Sequence, residues 1–192
     1  VFHDAFRLPL KETTMNKAKK AAHAGLDTDA IRAAAKNFEN GAVTGGYQAN
    51  RKLVVEMLNG ALATELVCVL RYKRHYYTAT GLQNGPIKAE FLQHALEEQG
   101  HADLLAERIV QLNGHPDFNP ATLSERSHAE YDESRDTQSM IKANLIAERV
   151  AIESYRLMIE ALGDADPTTR QMLVGIMAIE EQHADDMRDL LA

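Results

Sequence analysis

A chain of 192 residues with 45% hydrophobic and 26% charged residues has the size and composition of one compact domain with room for a core. A single cysteine excludes an internal disulfide and points to a reducing cytoplasm, and a net charge of −7 argues against a nucleic-acid binder taken as a whole. No apolar run approaches the roughly 20 residues of a membrane span and no secretory apolar region opens the chain, so no membrane partner is expected.

Residues 1–46 read as an N-terminal extension. Its first 26 residues lack a firm period, and residues 1–36 set Arg7, Lys11, Lys17, Lys19, Lys20, Arg32 and Lys36 against only Asp4, Glu12, Asp27 and Asp29. That basic stretch is the one feature that favours DNA. A short helix is expected near residues 27–40, with Asp27 as its cap and Gly41 past its end. Residues 47–192 follow a different plan. A first long helix runs from about Gln48 to Thr80, with Leu53, Met57, Leu58, Leu62, Leu66 and Val69 at helical spacing. Pro86 opens a second, which reaches about Asn113 with Gly114 as its stop. The next stretch, HPDFNPATLSERSHAEYDESRD, is polar, carries two prolines and is long for a connection. A third helix covers about Thr137 to Leu162. After GDADP, Asp166 and Pro167 open a fourth that runs to the end. The pattern is all-α: a four-helix bundle with one long crossover connection.

Two phrases repeat within this plan. HALEEQGHADLL starts at residue 94 and AIEEQHADDMRDLL at residue 178, and alignment on the histidines leaves one Glu-x-x-His spacing in each: Glu98 with His101, and Glu180 with His183. Glu65 and Glu148 stand at matched positions on the partner helices, each followed seven residues later by a tyrosine, Tyr72 or Tyr155. The midpoint of 65 and 98 falls beside Gly81, and that of 148 and 180 inside GDADP. Each Glu therefore faces its Glu-x-x-His across a hairpin, roughly 20–25 Å from the turn at 1.5 Å per residue. Residues three apart on a helix are neighbours, so each Glu-x-x-His can reach one ion, whereas that spacing excludes Glu97. Four carboxylates in an apolar core need cations, and four Glu with two His suit two first-row metals. His94 shares the stripe of His101 and reads first as a core or interface histidine, with an entry ligand near the metal pair as the alternative. Cys68 reads as a buried small hydrophobe.

At these residues the chain resembles the ferritin-like superfamily, and within it bacterioferritin and the Dps-like mini-ferritins with a bacterioferritin-type site. The resemblance covers residues 50–192 through NGALATELVCVLRY, EEQGHADLLAERIVQLNGHP, NLIAERVAIESY and AIEEQHADDM. It implies a ferritin-like four-helix bundle that binds two iron ions per subunit. Glu98 and Glu180 would bridge them, Glu65 with His101 would complete one and Glu148 with His183 the other, and Tyr72 would be a hydrogen-bonding or redox partner. It further implies a ferroxidase that oxidises Fe(II) with dioxygen or hydrogen peroxide and stores ferric mineral in a homo-oligomeric cage. Gln99 stands where bacterioferritin carries its haem-ligating Met, so no haem is expected there. The chain ends nine residues after His183, without the fifth helix of 24-subunit shells, so a 12-mer is favoured over a 24-mer. The rival reading is a di-iron or di-manganese oxidoreductase acting on a small substrate or peroxide without storage.

Overall fold

A computed structural model describes residues 25–81 and 84–192, and the chain divides into two compact units between Gly46 and Tyr47. The basic positions Lys11, Lys17, Lys19 and Lys20 lie outside the described residues. In the first unit, α1 spans Thr28–Ala34 and opens on Asp27, whose carboxylate accepts the Ala30 amide at 3.1 Å. The expected run to residue 40 is corrected here. No residue of α1 is buried, so no packing sustains so short a helix, and the Asn37 side chain accepts the Glu39 amide in a competing turn.

The second unit holds α2 (Arg51–Thr78), α3 (Gly85–Gln111), α4 (Leu123–Arg126), α5 (Thr137–Leu162) and α6 (Pro167–Asp189). The starts are written in the sequence. Asn50, Asp136 and Asp166 accept the amides of Leu53, Ser139 and Thr169, and prolines occupy the first turns of α3 and α6. The stop of α3 differs from expectation. Asn113 takes the left-handed conformation at φ 58°, and the Gly114 amide closes on the Ile109 carbonyl at 2.9 Å. Glycine is needed at 114 for another reason: a Cβ there would lie 2.7 Å from Val55 Cγ1.

Contacts across the bundle give its topology. Glu65 meets His101 and Tyr72 meets His94, so α2 and α3 are antiparallel. Tyr72 meets Glu148 and Tyr155 meets Glu65, so α2 and α5 are antiparallel as well. Helices α3 and α5 therefore run the same way, and residues 112–136 must return the length of the bundle. They do so along α2, which explains the many polar residues in the crossover. Asn59 holds the His115 carbonyl and the Asp117 amide, Thr64 accepts the His128 amide, Arg71 reaches the Glu130 carbonyl, and His75 meets Asp132 at 3.1 Å. The anchors rise in order on both segments.

Away from the mid-bundle the interior is largely apolar, with the buried Arg108–Asp166–Thr169 cluster at the start of α6 as an exception. Leu58, Leu62, Leu105, Ile109 and Leu173 are buried at one end, and Tyr72, Phe91, Met140 and Met187 at the other. Each large side chain so buried contributes about 1.5–3 kcal/mol. The expectation that nothing approaches a membrane span needs correcting for α2, which reaches a mean hydropathy of 1.8 over 18 residues and is long enough to cross a bilayer. Within the fold this apolar surface is directed inward, with 56% of that stretch buried, because α2 packs on α3, α5 and the crossover.

Candidate metal centre

All six side chains singled out by spacing converge at mid-bundle, one helix contributing each carboxylate. Glu65 comes from α2, Glu98 and His101 from α3, Glu148 from α5, and Glu180 and His183 from α6, and all are buried. His101 Nδ1 lies 3.5 Å from Glu65, 3.4 Å from Glu98 and 2.8 Å from Glu180. His183 Nδ1 lies 3.6 Å from Glu98, 3.4 Å from Glu180 and 4.0 Å from Glu148. Two donor groups result, Glu65–Glu98–His101–Glu180 and Glu98–Glu148–Glu180–His183, each with its ligand atoms within 4.8 Å of one another. Glu98 and Glu180 belong to both.

Hydrogen bonding leaves this cluster unsatisfied. Of the twelve buried side-chain N and O atoms without a hydrogen-bond partner among the described residues, eight belong to these six residues. Buried polar atoms are seldom left unpaired, so the donor set fits two cations of the first-row, oxygen- and imidazole-preferring kind. Without cations, protons must carry the compensation. Burial, reinforced by Glu98, pushes the Glu65 carboxyl up to about 8, and burial with Glu98 and Glu180 raises Glu148 well above the carboxylate range. Burial alone would lower both imidazoles, but the carboxylates outweigh it and lift His101 to about 12 and His183 to about 11. Each of these protons competes with a bound cation and is present below its raised pKa. Divalent-cation affinity should therefore rise between about pH 6 and pH 8 with release of protons. Calorimetric titration in buffers of differing ionisation heat reads this; affinity independent of pH, with no proton release, would contradict the electrostatics.

Around the ligand set lies a layer only partly legible in the sequence. The two tyrosines cross over: Tyr72 on α2 donates to Glu148 at 2.5 Å, and Tyr155 on α5 donates to Glu65. Each phenol thus orients the carboxylate of the opposite hairpin and occupies the oxygen facing away from the centre. Arg71, fully buried, binds Asn144 and the Glu130 carbonyl, lies beside Cys68, and partly offsets the buried charge of Glu148. His94 stacks on His183 with ring centroids 3.9 Å apart. Glu97 is excluded as a ligand by the helical spacing, yet it is not idle. Its Oε2 lies 2.8 Å from His183 Nε2, which fixes the ring so that Nδ1 faces the carboxylates. Glu97→Gln should weaken cation binding on the His183 side by about 10–100-fold with the fold intact. Equilibrium titration with Co(II) checks it, and unchanged affinity would deny Glu97 an orienting part.

A four-helix bundle that turns one carboxylate inward from every helix, two of them followed one turn later by histidine, defines the carboxylate-bridged bundles with room for a pair of cations. Residues 55–192 match the Ferritin-like domain, and the chain belongs to the ferritin-like family. It is 30% identical over 144 residues to the nutrient stress-induced DNA-binding protein of Synechococcus sp., covering 72% of this chain and 81% of that one. It is 31% identical over 145 residues to bacterioferritin of Brucella melitensis, covering 72% and 84%. Among solved structures, a dodecameric thioferritin, the bacterioferritin-related protein from Bacteroides fragilis, superposes with a TM-score of 0.72 at 32% identity, covering 75% of this chain and 87% of that one.

Proposed function

We propose that this protein is a ferroxidase and iron store. It takes Fe(II) as substrate at the mid-bundle centre, oxidises it with dioxygen or hydrogen peroxide, and keeps the ferric product inside a closed shell of its own copies. The observation that carries this reading is the sharing of Glu98 and Glu180 between two donor groups whose buried atoms lack hydrogen-bond partners. Iron supplies the electrons, and the chain supplies position and charge. Glu98 and Glu180 would bridge two iron ions. Glu65 and His101 would complete one and Glu148 and His183 the other, with Tyr72 and Tyr155 holding the terminal carboxylates in register. No haem is assigned at Gln99, whose side chain donates to Asp103.

Storage calls for a cage, and the outer helix faces support one. Leu53 and Leu70 on α2, Leu96 and Leu104 on α3, and Ile146 and Leu157 on α5 are exposed and would be covered by contacts between subunits of a shell. The dodecameric relative favours twelve subunits over 24. Light scattering behind a sizing column should give about 256 kDa for twelve chains of 21.3 kDa. About 510 kDa would mean the larger shell, and a monomer or dimer would sink the storage reading. We place the protein in the cytoplasm and rank a DNA contact, which the basic stretch of residues 1–36 favours and the net charge of −7 opposes, below the iron role.

A further inference from the structure

His94 has an environment that its stacking on His183 does not account for. The side chain is fully buried. Its Nδ1 lies 3.1 Å from the Tyr72 hydroxyl oxygen, and the one proton of that hydroxyl is committed to Glu148 at 2.5 Å. With the Tyr72 proton on Glu148, the Tyr72 oxygen accepts from His94 Nδ1–H, and this tautomer leaves the Nε2 lone pair free to take a cation. That lone pair points at two carboxylates: Glu90 Oε1, one turn back on α3, at 3.6 Å, and Asp186 Oδ2 on α6 at 3.5 Å. Nε2 is buried and lies just beyond hydrogen-bond reach of both carboxylates, at a spacing that a cation between them would fill. A nitrogen lone pair set against two carboxylates is repulsive in the absence of a cation. With one, it is a nitrogen–oxygen–oxygen ligand set whose donor atoms all lie within 4.8 Å of one another.

We propose that Glu90, His94 and Asp186 form a third divalent-cation site, mononuclear and separate from the six buried ligands, from which ions pass to the inner pair. This delivery role rests on the ferroxidase reading above. Position supports it. The side chains of Glu90 and Asp186 are 33% and 31% exposed, so an ion reaches them from solvent. His94 lies behind them with its ring against His183, and His94, Glu148 and His183 themselves offer ligand atoms within 4.8 Å of one another. An ion at the outer site is thus one imidazole away from the inner centre. Occupancy of Nε2 also holds the proton on Nδ1, and so keeps the hydrogen-bonded line His94–Tyr72–Glu148 in one polarity. Two carboxylates at a half-exposed opening concentrate cations there, an arrangement that raises on-rates by about 10–10³-fold.

The test uses the assembled protein, freed of metal, and the double variant Glu90→Gln with Asp186→Asn, which spares His94 and its packing. Co(II) is titrated into each, and the bound ions are placed by anomalous diffraction. Three ions per wild-type chain, with only the outer one missing from the variant, is the expected result. The variant should also take up Fe(II) at limiting concentration at least about tenfold more slowly, with the rate at saturating Fe(II) unchanged. Two ions at the inner pair of the wild type, none outside, would overturn the third site and leave the ferroxidase reading standing. An outer ion alone, lost in the double variant but kept in Glu98→Ala, would uphold the third site while sinking that reading. No bound ion at all would overturn both. An outer ion whose removal leaves Fe(II) uptake unchanged would overturn delivery.

Discussion

If the centre is the proposed ferroxidase site, replacing Glu98 or Glu180 by Ala should abolish rapid Fe(II) oxidation and leave the bundle folded. Either change removes a carboxylate that both donor groups share, so both groups lose a donor at once. The loss should exceed the roughly 10–100-fold typical of an orienting partner such as Glu97. The fold should survive because these carboxylates repel one another in the absence of cations. Glu180 is among the charges that raise Glu148, so its removal relieves that repulsion. Glu98→Gln keeps the side-chain volume and separates lost charge from lost packing. Stopped-flow absorbance of the ferric product and far-ultraviolet circular dichroism read the two halves of the expectation. Wild-type oxidation rates in both variants would remove Glu98 and Glu180 from the bridging role.

The second large effect lies away from the centre. Asp166 is buried where α6 begins, and four groups depend on it. It accepts Arg108 Nη2 at 3.0 Å, the Thr169 amide at 2.9 Å, the Thr169 hydroxyl at 2.5 Å and the Tyr47 hydroxyl at 2.8 Å. Asp166→Ala leaves the buried Arg108 guanidinium without its carboxylate and removes the α6 cap. Breaking a buried pair from one side costs about 3–5 kcal/mol, and losing a cap about 1 kcal/mol. Urea unfolding should show a loss in that range, and a loss below about 1 kcal/mol would mean that water replaces Asp166 at no cost. Burial raises the Asp166 carboxyl, but the hydrogen bonds from Thr169 and Tyr47 with the Arg108 charge outweigh it and hold it below the usual aspartate range. A lowered folded pKa contributes stability above the unfolded value that is lost as pH falls through the folded one. Acid should therefore destabilise the native chain more steeply than Asp166→Ala.

What could be read from the letters was what depends on a single helix or on its fixed rise. Glu98 with His101 and Glu180 with His183 are local spacings, and uninterrupted helices carry Glu65 and Glu148 to the facing positions by arithmetic alone. The start of α6 is legible for the same reason, since Asp166 acts within one turn, whereas spacing alone sets the start of α2 near Gln48 and marks neither the Asn50 nor the Asp136 cap. What depends on how helices pack was not. Glu97 lies off the ligand stripe of α3, and only the placement of α6 beside it brings its carboxylate to His183. Tyr72 repeats at the same interval from Glu65 as Tyr155 does from Glu148, which cannot reveal that each phenol serves the opposite hairpin. The crossover read as a loop because its partners lie along α2, more than 50 residues away in places. Gly114 reads as the helix stop from its place in the sequence, but its closeness to Val55 on the neighbouring helix depends on packing that the sequence does not show.

Oxidation followed by storage is tested most directly by the iron-to-protein ratio after aerobic Fe(II) loading and repurification on a sizing column. The proposed function predicts iron co-eluting with a particle of about 256 kDa, in amounts far above the two ions per chain proposed for the centre. Iron that stops at the handful of protein-held sites on each chain, or that precipitates apart from the protein, would contradict storage and leave a dinuclear oxidoreductase in its place.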